Sequence, residues 1–468
     1  MNASMLRCTV ILNDSDEKNN GTVENAILAQ PSVIYPRLFM WEIIRVIRSN
    51  YILVSHLSAG AFARSYAVFV MDVVLSVFNE IDAEDASGLG LNSTTIALLG
   101  SMTSVGSIIG MLLFGVVGDL ISRRTGMIVT GSLMLVGTVL SACCFRSDHF
   151  PLIYQMIIYR TILGIGVGGE YPLSASMGSG GIPPCFRGRI LAGVFAMQGL
   201  GMLFANLLGV IAVSSGGSLE FTWRFLLAFT VLPISIALIF RSRRKHNPDH
   251  SPQQRPTLSQ IAPFKTLLFG TMLAWFFSDI TFYGTGQFRH SVSNRLYPPS
   301  TSTTPQDVVL FDSIFGLIIA AIGLPGYILC VIFIETIGRW NLQFFGFIAV
   351  AVAYCALALC YQFSTPPGID LALFGVTFFL INFGPNPLVF IIPSEVFPSH
   401  IRSTCNGISA AAGKVGATLG GAGFPLIIDS IDLFGIMYIC GGVAFCGSLV
   451  TRLLIDRKIV NKAATSHT

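Results

Sequence analysis

The sequence predicts an all-α membrane protein with twelve transmembrane helices in two six-helix halves, and three observations carry that prediction. Of the 468 residues, 53% are hydrophobic and only 11% charged, against about 25% charged in an ordinary soluble domain, so a soluble core of this composition would have no polar skin. The apolar residues arrive in blocks of about 20, the length a helix needs to cross hydrocarbon. Lys and Arg concentrate in every second segment between those blocks. The same composition excludes disorder, collagen-like repeats and nucleic-acid binding.

In chain order, residues 1–52 form a cytoplasmic N-terminal segment whose first 35 residues are polar, without the charged-then-apolar pattern of a cleaved leader, so the first span acts as the insertion signal. Within it, PRLFMWEIIRVIRSN mixes Phe39, Trp41, Ile43, Ile44 and Ile47 with Arg45 and Arg48. That pattern fits an interfacial helix and equally an extended start of span one. The apolar blocks cover 53–78, 96–118, 126–145, 150–171, 189–213, 224–240, 264–286, 308–334, 342–361, 369–392, 405–427 and 433–454. The N-terminal half is therefore 53–240 and the C-terminal half 264–454. Between them, 241–263 carries RSRRKHNPDHSPQQR and reads as a cytoplasmic linker. Residues 287–307, rich in Ser, Thr and Pro, form an outer loop, and 455–468 a cytoplasmic tail.

The net charge of +4 matters through its placement. With both termini inside, 21 of the 28 basic residues fall in cytoplasmic segments. The outer segments hold Arg146, Arg224, Arg289 and Arg295, and the first outer loop carries Glu80, Asp82, Glu84 and Asp85 with no base. The positive-inside rule selects cytoplasmic termini, and a plasma membrane is the expected location. The ten Cys fall mostly in or beside apolar blocks, with no CxxC spacing, and read as buried thiols; no metal site or cofactor is expected. Asn92 opens a glycosylation sequon close to span two.

One charge pattern repeats between the halves. After span two the chain reads GVVGDLISRRTG, with Asp119 four residues before Arg123. After span eight it reads VIFIETIGRW, with Glu335 four residues before Arg339. Acid and base at that offset on a tight turn tie helix ends together in one conformation and release them in another. In span seven, Trp275, Asp279 and Tyr283 lie at i, i+4 and i+8 and share one helical face. Lys414 and Asp279 are charges at mid-membrane depth, which cost at least about 2.5 kcal/mol each and mark function by default; a structural ion pair is the alternative. Taken alone, Trp275 and Tyr283 read as packing.

The loop after span two resembles the signature of the major facilitator superfamily, and PSEVFPSHIR, from Pro393 to Arg402, resembles its counterpart in the second half. YRTILGIGVGGEYPLSAS, RGRILAGVFAMQGLG, WFFSDITFYG and NFGPNPLVFIIPSEVFPSHIRSTCNGISAAAGKVGA together resemble the phosphate:proton symporter family from span one to span twelve. The resemblance implies the major facilitator fold and a central site from both halves. That family's substrate residues match Glu170, Tyr171, Gln198, Trp275, Asp279, Tyr283, Asn386 and Lys414. Glu170 and Asp279 become the proton-coupling candidates. Asp119, Arg123, Glu335, Arg339, Glu395 and Arg402 become a gating network.

The chain departs from that family in span one, where GAFARSYAVF puts Arg64 in place of an acid, with Tyr66 as the matching Tyr and Ala67 where a second Asp is common. The span-three acid falls on Ser132 and the acid near the end of span four on Gly180. Arg64 either binds the anion or neutralises an acid, and Glu170, the nearest carboxylate expected across the cavity, is its expected partner. Arg160 matches a structural Arg of the family.

The leading expectation is a secondary transporter of inorganic phosphate, acting as a monomer in the bilayer, proton coupled if Glu170 and Asp279 suffice. A glycerophosphodiester carrier is the alternative within the class. A non-transporting phosphate sensor is the alternative outside it, against which stand the short segments flanking the spans. An enzyme is not expected, since the chain has no GxxxxGK[ST] loop, HExxH pair or GxSxG elbow.

Overall fold

The computed structural model describes residues 51–84, 91–120, 122–147, 149–182, 184–243, 256–286, 303–363 and 366–464. The interfacial segment before span one, residues 244–255 of the linker and most of the outer loop after span seven lie outside them. Regular structure among the described residues is helical throughout.

Eleven helical segments among the described residues are long and apolar enough to cross a membrane. The twelfth crossing comes from the run Arg402–Leu454, which breaks at Asp432 with φ 56°. Its first part, 402–431, is rich in Gly and Ala and carries Lys414, which is why it reads weakly as a span. Two crossings are built from two helices each. Span six joins Leu219–Phe229 to Val231–Arg243. Span ten joins Pro367–Phe383 to Pro385–Val396 across Gly384, where Pro385 cannot continue the hydrogen-bond ladder of the preceding helix. Span six thus runs on through Arg241, past the linker boundary that the sequence predicts.

Helix starts follow from local chemistry. Asn92 accepts from the Thr95 N–H at 2.8 Å and opens span two. Thr304 and Asp307 form a reciprocal capping box with Pro305 in the first turn, opening span eight, Pro305–Ile337. The turn into span nine passes through Gly338 at φ 89°, a backbone region that disfavours side chains.

Helices approach through small residues, as expected where lipid supplies no hydrophobic force between them. A Cβ on Gly106, Gly110, Gly164 or Gly168 would run into backbone of the facing helix, so spans two and four touch along their main chains. Gly416 and Gly420 let span eleven lie against Phe276 and Ile280 of span seven. Gly115 and Gly407 bring span two of the first half against span eleven of the second. Outward-facing Leu112, Leu113, Ile211, Leu232, Phe345 and Val352 are exposed, as suits a lipid-facing surface.

Candidate functional site

Span seven presents Trp275, Asp279 and Tyr283 inward along one face, as their spacing predicts, and span eleven presents Lys414 opposite them. The Lys414 ammonium lies 2.9 Å from Asp279 Oδ2. Trp275 is within hydrogen-bonding reach of the same carboxylate, and its ring lies against Gly413, where a Cβ would collide. Lys414 and Asp279 are only 5% and 2% exposed, so each charge depends on the other for compensation.

The site is a stack of cations and aromatic faces. Lys414 Nζ sits 3.9 Å from the centroid of Tyr283 and 5.8 Å from that of Tyr171. On Tyr171 also lies the Arg64 guanidinium, 3.9 Å from the ring centroid. Each such contact is worth about 0.5–2 kcal/mol. Arg64 is 2% exposed, and its Nη2 has no hydrogen-bond partner among the described residues. Tyr171, Trp275 and Phe390 pack edge to face at 6.0–6.3 Å between centroids. Asn386, in the first turn after the break in span ten, donates to Tyr327 at 3.0 Å and to Asn382 at 2.9 Å. Gln198 reaches the same Tyr327 hydroxyl. Tyr171, Gln198, Trp275, Asp279, Tyr283, Asn386, Lys414 and Arg64 therefore converge, and Tyr327 and Phe390 join them.

Glu170 faces the other way. Its neighbour Tyr171 points to the central axis, and a step of about 100° per residue turns Glu170 into the first half. There Arg241 Nη1 and Nη2 bind its two oxygens at 2.5 and 2.7 Å, and Thr130 adds a bond at 3.0 Å. Gly60 makes room, since a Cβ there would strike Arg241. This corrects two expectations: Glu170 pairs with Arg241 rather than Arg64, and Arg241 is a buried partner rather than a linker charge. Arg124 further anchors this end of span six through the carbonyls of Arg241 and Ser242.

At the end of the bundle bearing Arg123, Arg187, Arg339 and Arg402, the halves meet through polar contacts. Arg339 pairs with Glu335 and, at 3.0 Å, with Glu395. Gly188, at the start of span five, abuts that cluster closely enough that a Cβ would strike Arg339. Asp119 accepts from the Thr404 N–H at 3.0 Å and hydroxyl at 2.7 Å, and Arg123 and Arg402 lie in its field. Arg402 donates to the Phe397 carbonyl at 2.9 Å. The six charges named in the sequence thus sit at one end, with Thr404 and Gly188 as unforeseen members. On the side of the central site away from that end, Ser76 donates to Asp312 at 2.7 Å and Phe69 stacks on Tyr283 at 6.2 Å. A cavity of about 50 Å³ lies there beside Phe69, Asp72, Thr103 and Tyr283.

A family model, the Major Facilitator Superfamily, matches residues 57–421. Among curated proteins, inorganic phosphate transporter 1-1 of Oryza sativa subsp. japonica is 30% identical over 476 residues, covering 85% of this chain and 90% of its own length. Low affinity inorganic phosphate transporter 1 of Petunia hybrida is 28% identical, with 85% and 89% covered. Among solved structures, the proton:xylose symporter XylE bound to 6-bromo-6-deoxy-D-glucose superimposes with a TM-score of 0.69 at 19% identity, covering 87% of this chain and 96% of that one.

Proposed function

The chain belongs to the major facilitator superfamily, and from that premise we propose that it carries inorganic phosphate across a membrane by alternating access. The observation that carries the reading is the central constellation of Lys414, Asp279, Tyr171, Tyr283 and Arg64, supported by curated relatives that are inorganic phosphate transporters.

The residues suit a partly protonated oxyanion. Lys414 has three N–H donors, of which Asp279 takes one. Arg64 Nη2, Gln198 and the Tyr171, Tyr283 and Tyr327 hydroxyls add donors for phosphate oxygens, while Asn386 holds Tyr327 and Trp275 holds Asp279. The Asp279 carboxylate accepts from a phosphate O–H, and sulfate, with no proton to give, would face it with like charge. Asp119, Arg123, Glu335, Arg339, Glu395 and Arg402 hold the basic end shut while the site faces the other side. The halves 53–240 and 264–454 rock about the site to exchange access. The excess of basic residues supports a cytoplasmic position for the gated end and both termini, and the reading takes the membrane to be a plasma membrane.

Of the two proton-coupling candidates, Glu170 has both oxygens committed to Arg241 and faces away from the cavity, so Asp279 alone is placed to exchange a proton with substrate. Labelled-phosphate uptake into proteoliposomes, with sulfate and a glycerophosphodiester as competitors, tests the reading. Saturable uptake blocked by unlabelled phosphate and not by sulfate supports it. No saturable phosphate uptake, with saturable uptake of a labelled glycerophosphodiester, would transfer the function to organic phosphates.

A further inference from the structure

Between the two ends of the bundle, the described spans bring together the bases Arg64, Arg160, Arg241 and Lys414 and the acids Asp72, Glu170 and Asp279. Arg241 binds Glu170 and Lys414 binds Asp279. Arg160 lies in the field of Asp72 and donates to the Ala67 carbonyl at 2.8 Å. Arg64 is the surplus. It is buried, its Nη2 has no hydrogen-bond partner among the described residues, and the face of Tyr171 is what it rests on. Glu170 of span four, which lies beside Gly60 one turn of span one from Arg64, has both oxygens bound by Arg241. The surplus lies inside the site, since Arg64 and Lys414 share Tyr171.

A carrier that alternates must pass through a state closed to water on both sides. Closing around one uncompensated cation removes the water that stabilised it, and an aromatic face replaces only part of that hydration. One singly charged phosphate between Arg64 and Lys414 brings the site to neutrality. A proton arriving alone increases the surplus instead of cancelling it.

We propose that this chain is an obligatory anion exchanger, reorienting with phosphate bound and holding still when empty, with Arg64 as the residue that forbids the empty return. No bond is made or broken; one anion moves each way per cycle. The inference rests on the phosphate reading of the site.

The test uses the purified full chain in liposomes that contain either unlabelled phosphate or gluconate. Labelled phosphate should enter phosphate-loaded vesicles at least about tenfold faster than gluconate vesicles, the factor expected from one modest barrier difference. Equal rates, or rapid entry into gluconate vesicles driven by an imposed pH gradient, would overturn the exchange mechanism. Saturable phosphate binding without entry into either vesicle would also overturn it and leave the site reading intact. Loss of saturable binding would sink both. Arg64→Gln removes the surplus and should bring the ratio of the two rates towards one, whereas Arg64→Lys should keep it high. A high ratio in Arg64→Gln would separate exchange from this residue and defeat the charge argument.

Discussion

In the proposed site, Asp279 is the residue on which selectivity would turn. Its carboxylate can only accept, so it favours an oxyanion that keeps a proton, and an amide in its place can donate. Asp279→Asn should therefore let sulfate compete for phosphate uptake about tenfold better than in the unmodified chain, the scale of one misplaced hydrogen bond to a charged group. Unchanged competition by sulfate would remove Asp279 from substrate contact. Glu170 and Arg241 make a different argument, because their bidentate pair is buried and turned away from the substrate. Arg241→Ala strands the Glu170 carboxylate and should destabilise the protein by about 3–5 kcal/mol, read as a lower melting temperature in detergent. Adding Glu170→Gln should restore much of the loss. A double variant no more stable than Arg241→Ala would show that the pair is not what holds span six.

How far these residues were legible depended on the kind of signal each one leaves. Trp275, Asp279 and Tyr283 stood out because helical spacing fixes a face without any tertiary information. The meeting of Lys414 with Asp279 spans 135 positions; their common depth in the membrane suggested the pair, since no local spacing links the two. Arg241 was misread because it begins a run, RSRRKH, that looks like solvated linker, and nothing local distinguishes the first base of such a run from the rest. Once Arg241 took Glu170, the expected Arg64 pair had no acid left. Tyr327 left a faint trace, a polar aromatic two residues after Pro325 in an otherwise apolar span, which reads equally well as packing.

At the scale of elements, the proposed gate makes clasps of the helix ends, and glycines let the spans lie against one another. Asp119 joins span two to span eleven through Thr404, so Asp119→Asn weakens the closure of the basic end. It should increase labelling, from that side, of a Cys introduced into the inner cavity, and unchanged labelling would leave Asp119 as a folding signal only. Gly110 meets backbone of span four with no room for a side chain, and Gly110→Val should destabilise the fold by about 1–3 kcal/mol through overpacking, measured as a fall in thermal stability. The repeated acid-to-base offsets at 119–123 and 335–339 told the sequence where those clasps lie. They did not tell which partners each clasp takes, since Thr404 and Gly188 come from elements far along the chain. The break at Gly384 was readable from Pro385 and Pro387, and the joint in span six at Thr230 from Pro233, whose missing N–H leaves a carbonyl of the preceding turn unbonded.

For the whole molecule, the crossings were the most legible feature, because hydropathy reports each one independently of how the helices pack. Span eleven was the exception in strength, its Gly, Ala and Lys414 serving contact and chemistry at the expense of apolarity. The arrangement of buried charges also sets how the whole carrier responds to pH. With Arg64 permanently charged and Glu170 clasped by Arg241, uptake should vary little with external pH on the acidic side of neutrality, where inorganic phosphate is mostly singly charged. Arg64→Asp puts an unclasped carboxylate beside Tyr171, which can take up and release a proton, so its uptake should rise as external pH falls. A steep wild-type profile, or a flat one in Arg64→Asp, would contradict this account.

The claim beneath all of these is that phosphate binds where Lys414 and Asp279 meet. Calorimetric titration of inorganic phosphate into the purified wild-type chain and into Lys414→Ala measures it directly, without requiring either to transport. Saturable binding to the wild type and its loss in Lys414→Ala, with the variant still folded by its thermal transition, is the predicted result; binding by a folded Lys414→Ala within a few-fold of wild type would contradict it.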